Sequence, residues 1–174
     1  SIQEDCTILG TLDCTDALSA IYFDTNDSAG NVTITFGDAD NQATIHNHTA
    51  NRTSVRGNSS RILTLQGHSA IQPCLVTGED WGWDGRTAGA EKFLISNMDF
   101  SAVSSMSIDA GQYVTLDGDC KFAALTVEAT STLDLNGQRM ECSGAFVLAG
   151  ALDWASSMAI FNSTVDLAGK FPTS

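Results

Sequence analysis

One phrase recurs four times along this chain: a short strand with apolar side chains at alternate positions, closed by glycine. Leu63-Thr64-Leu65-Gln66-Gly67, Val114-Thr115-Leu116-Asp117-Gly118, Leu133-Asp134-Leu135-Asn136-Gly137 and Val165-Asp166-Leu167-Ala168-Gly169 all follow it. A unit of this kind has one apolar face and cannot bury it alone. Its recurrence therefore predicts passes of chain stacked on one another, each covering the next.

The spacing supports that reading. Met106-Ser107-Ile108 precedes Val114-Thr115-Leu116, Leu125-Thr126-Val127 precedes Leu133-Asp134-Leu135, and Phe146-Val147-Leu148 precedes Leu152-Asp153-Trp154. The first strands start 19 to 21 residues apart and the second strands 19, lengths suited to one coil of a β-solenoid. The expected fold class is all-β: a single-stranded parallel β-solenoid forming one domain over 1–174. Residues 1–19 read as a cap or lead-in, 20–100 as irregular coils with surface loops at 38–60 and 77–90, and 101–170 as regular coils. Ala20-Ile21-Tyr22-Phe23 and Val32-Thr33-Ile34-Thr35-Phe36 are the clearest early strands.

Composition narrows the function classes. Of 174 residues, 43% are apolar and 17% charged, too apolar for a disordered chain. Twenty-one acidic against 8 basic residues give a net charge of -13, which repels nucleic acid and anionic membrane surfaces. No apolar run approaches the roughly 20 residues needed to span a bilayer. The chain opens Ser1-Ile2-Gln3 without Met, as expected of a processed chain or a fragment.

Six of the asparagines open an Asn-x-Ser/Thr sequon: Asn26, Asn31, Asn47, Asn51, Asn58 and Asn162. Chance at this Ser/Thr content would supply roughly two. The excess predicts N-linked glycans and an extracellular, cell-surface or virion-surface location; the plainer explanation is that Asn and Thr suit turns and strand faces. The 5 cysteines fit an oxidising compartment. Cys6 and Cys14 lie near each other, and Cys120 and Cys142 are 22 residues apart, about one coil. Stacked strands about 4.8 Å apart lie within disulfide reach, so a bond between neighbouring coils is expected there. An antiparallel sandwich could also bring that pair together. Cys74 is left as a free thiol or a bond to another chain.

The segment Leu125-Thr126-Val127-Glu128-Ala129-Thr130-Ser131-Thr132-Leu133-Asp134-Leu135-Asn136-Gly137 resembles one coil of a parallel right-handed β-helix, and Phe93 to Phe100 resembles another coil's strand. The resemblance is to the pectate-lyase-like superfamily, which includes lyases, phage tailspikes and extracellular repeat proteins. It is clearest over 93–170 and weak over 1–92. It implies a fold and carries over no catalytic residue.

Candidate sites are few. The segment Glu79-Asp80-Trp81-Gly82-Trp83-Asp84 reads as a ligand or interface loop: Trp81 and Trp83 to stack on sugar rings, Glu79, Asp80 and Asp84 to bind hydroxyls or calcium. Packing of both indoles is the plainer alternative. His46 and His48 alternate but lack further ligands for a metal. Asp117 and Asn136 follow equivalent strands and read as turn formers rather than catalytic acids. Thr33-Ile34-Thr35 is a lone Thr-x-Thr unit, too little for an ice-binding face. No nucleophilic triad, phosphate loop or dinucleotide fingerprint occurs. No cofactor is expected, calcium being the one candidate.

The expectation from sequence is a secreted, glycosylated structural subunit, not an enzyme. It would self-associate head to tail into an extracellular filament, coat or appendage, because strand edges at the ends of a stack need a cap or a partner. A carbohydrate-binding or adhesive module is the alternative, and a polysaccharide lyase the third reading.

Overall fold

The structure is a computed structural model that describes residues 4–14, 21–24, 30–47, 53–57, 61–84, 92–154 and 156–167. The described residues form strands and turns without a helix, so none is long and apolar enough to cross a membrane.

The strands fall into successive passes. The first holds β1 (Cys6–Ile8), β2 (Thr11–Cys14) and β3 (Tyr22–Asp24), the second β4 (Val32–Phe36), β5 (Thr44–Asn47) and β6 (Thr53–Arg56). The third holds β7 (Ile62–Gly67) and the long β8 (Cys74–Trp83), the fourth β9 (Lys92–Ser96) and the long β10 (Met98–Ile108). Then come β11 (Tyr113–Leu116), β12 (Cys120–Phe122) and β13 (Leu125–Val127), followed by β14 (Thr132–Asp134), β15 (Arg139–Cys142) and β16 (Phe146–Leu148). The last pass is β17 (Ala151–Asp153), β18 (Met158–Phe161) and β19 (Val165–Asp166).

Each strand pairs in parallel with its counterpart one pass later. One seven-stranded sheet runs β1-β4-β7-β9-β11-β14-β17. The other strands form a twelve-stranded sheet whose two ladders share β8 and β10. The eleven-residue β10 serves both ladders, pairing β12 through Met98–Phe100 and β13 through Ser107 and Ile108, and its register on β8 shifts between Asp99 and Ala102, as at a bulge.

The parallel stacking includes the segment expected as a cap or lead-in: it begins at Cys6, opposite Ile34. The loop expected at 38–60 contains two strands, β5 and β6, and the loop expected at 77–90 is entered by β8 as far as Trp83. The early passes read as irregular because they are longer. Equivalent positions run Val32, Leu63, Phe93 in the first half but Val114, Leu133, Leu152 in the second, so steps of about thirty residues give way to steps of 19.

Inward side chains of successive passes stack in columns. Ile34, Leu65, Ile95, Leu116 and Leu135 make one; Trp81, Met106, Leu125 and Phe146 make another; all are buried. The core is a single run of such columns. Burying each large apolar side chain contributes roughly 1.5–3 kcal/mol.

The phrase-closing glycines serve two needs. Gly137, at φ +78° beside Asn136 at φ 45°, makes a left-handed corner. Gly67 is needed for space: a Cβ there would overlap the carbonyl oxygen of Asn97. The Asn136 amide donates to the Leu116 carbonyl 3.2 Å away in the pass below.

Candidate functional site

Trp81 and Trp83 lie on β8, with Trp81 opposite Thr53 and Met106, and Trp83 opposite Val55 and Ile108. Alternate residues of a strand share a face, and here that face is the interior. Both indoles are essentially inaccessible, at 1% and 0% exposure. They form an aromatic cluster with Phe100, at ring separations of 5.1 Å and 5.8 Å, and Trp81 also meets Phe23 at 6.0 Å. Packing, the plainer of the two expectations, is what the structure has, and the sugar-stacking reading is corrected: both indoles are core.

Of the acids in that segment, Asp84 has a structural partner set. Of Glu79, only the backbone is described. The Asp84 carboxylate accepts from Ser54 Oγ at 3.1 Å and faces Arg56 Nε at 3.6 Å; that guanidinium lies 4.3 Å above the centre of the Tyr22 ring. Asp84 thus closes a corner. Among the described residues no three His, Cys, Asp or Glu side chains gather as metal ligands. His46 is exposed, with Nδ1 2.8 Å from Thr77 Oγ1; His48 lies outside the described residues.

The cysteine expectations also change. Cys6, Cys74, Cys120 and Cys142 are free thiols; the Cys14 side chain lies outside the described residues. Cys120 stands opposite Met98 and Met140, while Cys142 stands opposite Phe122 and Phe161. The pair is one pass apart but two residues out of register, so the expected bond does not form. Cys74 is fully buried, opposite Met98, and cannot join another chain. Burial pushes the Cys74 and Cys120 thiols up to about 12, and raises Cys142 as well.

Of the sequon asparagines, Asn31 and Asn162 are exposed. Asn31 Oδ1 accepts the amide of Ile62 at 3.0 Å, and Asn162 Nδ2 donates to Glu141 at 3.3 Å. Asn47 is 2% exposed and lies against Gly78, a placement with no room for a glycan. Asn26, Asn51 and Asn58 lie outside the described residues.

No family model, curated protein or solved structure matches this chain.

Two surface features stand out among the described residues, of which the sequence announced only the second. The first is a groove of about 210 Å3 lined by Asp99, Asp119, Lys121, Arg139 and Glu141. Asp99, Lys121 and Glu141 occupy one outward column, with Lys121 3.7 Å from Asp99 and Arg139 3.3 Å from Glu141. Their near-twenty-residue spacing was a readable signal, but only once outward positions are tracked as columns. Four of its charges form these two pairs, and the Asp119 carboxylate accepts the Arg139 backbone amide at 3.0 Å.

The second is the last pass. Val165 lies on Phe146, Phe161 on Cys142 and Leu152 on Leu133. The three lower residues are 0% exposed, whereas Val165 is 37% exposed and Phe161 and Leu152 are only partly covered. This is the candidate site: a partly exposed apolar surface with strand edges on the last described pass.

Proposed function

We propose that this chain is a right-handed parallel β-helix of the pectate-lyase-like kind, serving as a secreted, glycosylated structural module. Copies stack head to tail into an extracellular filament, coat or appendage. The observation that carries this reading is the partial exposure of Val165, Phe161 and Leu152 on the last described pass. A following pass would return Val165, Phe161 and Leu152 to the burial enjoyed by their counterparts one pass earlier. The first pass also presents apolar side chains to the stack: Leu12 heads the column that reaches Ile45 and Val76, and Cys6 the column of Ile34 and Leu65. Glycans at the exposed Asn31 and Asn162 would mark the sides of the stack. The reading assigns no catalytic step and no cofactor.

Sedimentation and electron microscopy of the full chain test it. Concentration-dependent particles larger than one chain are expected, dispersed by Val165→Lys or Phe161→Lys while the far-ultraviolet spectrum is kept. A single-chain particle at every concentration overturns it.

A further inference from the structure

The ladder through β8, β10, β12 and β15 lays sulfur upon sulfur. Cys74 stands opposite Met98, Met98 opposite Cys120, and Cys120 opposite Met140. All four side chains are buried, so they make one inward column through four successive passes. Sulfur differs in one respect from the Leu, Val and Phe that fill the rest of the core. Thiolate and thioether are ligands for soft metal ions.

The column has the right pitch for such an ion. Met98 and Met140 put a flexible thioether on either side of the Cys120 thiol, one pass before it and one after. Rungs about 4.8 Å apart match an ion held between two sulfurs, each at a bond length of about 2.3 Å. Cys120 Sγ donates to the Gly118 carbonyl at 3.5 Å, a long contact that an ion can replace.

Spacing and burial select the ion. Cys74 lies two passes from Cys120, about 9.6 Å away, whereas two thiolates on one ion lie no more than about 4.6 Å apart. One ion therefore takes one thiolate, and thioethers complete its set. A divalent ion would keep a net positive charge in an apolar core, at a large desolvation cost. A monovalent ion with one thiolate is neutral. Soft ligands and a single charge together point to Cu(I). As the copper–sulfur bond forms, the Cys120 proton passes to solvent and no electron moves. Burial holds that thiol protonated up to about 12, so the metal has to displace the proton.

The column also has an entrance. Met98 and Cys120 both line the groove that carries Asp99, Asp119 and Glu141. These acids outnumber Lys121 and Arg139, so the groove draws cations. A bare ion needs a smaller opening than an organic thiol reagent.

We propose that Met98, Cys120 and Met140 bind one Cu(I) ion in the interior of the stack. The site does not rest on the end-to-end assembly reading.

Copper retention by the full chain tests it. The reduced protein is incubated without oxygen with Cu(I) buffered by bicinchoninate, then desalted and its copper measured. One copper per chain is expected, with sulfur neighbours alone in X-ray absorption, and Zn(II) offered in the same way should not be retained. Cys120→Ala should lose the ion. Met98→Leu and Met140→Leu should each weaken its affinity about tenfold or more, since even an outer-shell partner is worth that much. Cys142→Ala should keep the ion, because its thiol stands opposite Phe122 and Phe161 in the neighbouring column. Leucine conserves the methionine volume, so if Cys120→Ala fails to fold the two leucine variants decide. No retained copper, copper unmoved by Cys120→Ala or by both leucine variants, copper lost with Cys142→Ala, or Zn(II) held as firmly overturns the proposal.

Discussion

Phe100 and Phe122 lie one pass apart with their rings stacked, 5.6 Å between centroids and 7° between planes. Their strands pair in register, so the two rings report directly on the stacking of β10 on β12. Phe122 is buried between Phe100 below and Cys142 above.

Phe122→Ala should therefore destabilise the fold by about 3–5 kcal/mol, and Phe122→Leu by much less. Denaturant titration followed by circular dichroism measures both. A cost under about 1 kcal/mol for the alanine would mean that this column is not the core.

Trp81 and Trp83 make a spectroscopic prediction. Their emission should be blue-shifted and resistant to iodide, with only partly buried Trp154 open to quenching. Trp81→Ala should cost about 3–5 kcal/mol. Strong iodide quenching of all three indoles would show the β8 register to be wrong.

The buried thiols set an alkaline limit on stability. A cysteine at about 12 in the fold but near 9.0 in the unfolded chain keeps its proton where the unfolded chain loses it. Protons bound to the unfolded state are then fewer, so stability is full below pH 9 and falls as pH rises towards 12. Each such thiol adds a slope of about 1.4 kcal/mol per pH unit in that window. Stability curves at successive pH values should show the slope, and Cys120→Ala should reduce it. Thiol titration should find Cys74, Cys120 and Cys142 unreactive until denaturant is added; rapid labelling of all three in the native protein would contradict their burial.

Gly78 has φ +137°, and a Cβ there would come 2.7 Å from the Asn47 carbonyl oxygen. Gly78→Ala should cost about 1–3 kcal/mol, from strain alone, at a position with no polar side chain to lose. An unchanged melting temperature would place β5 and β8 differently.

Alternation along each strand and the near-twenty-residue recurrence were local facts, and they determined an all-β chain with parallel stacked passes. Side-chain alternation follows from backbone pleat, so Val114, Leu116, Leu133 and Leu135 could be assigned inward from sequence alone. The tertiary structure decided everything that depends on how corners absorb residues. Cys120 and Cys142 are 22 apart where the pass between them takes 20, and those two residues separate a disulfide from two lone thiols. In the first half, passes of about thirty residues hid the period, so Trp81 and Trp83 read as a loop although their partners Thr53 and Val55 make them core. The sulfur column of Cys74, Met98, Cys120 and Met140 has no signature along the chain at all. Its members are neighbours only through strand register, which the lengths of the intervening segments and the packing of the interior set together.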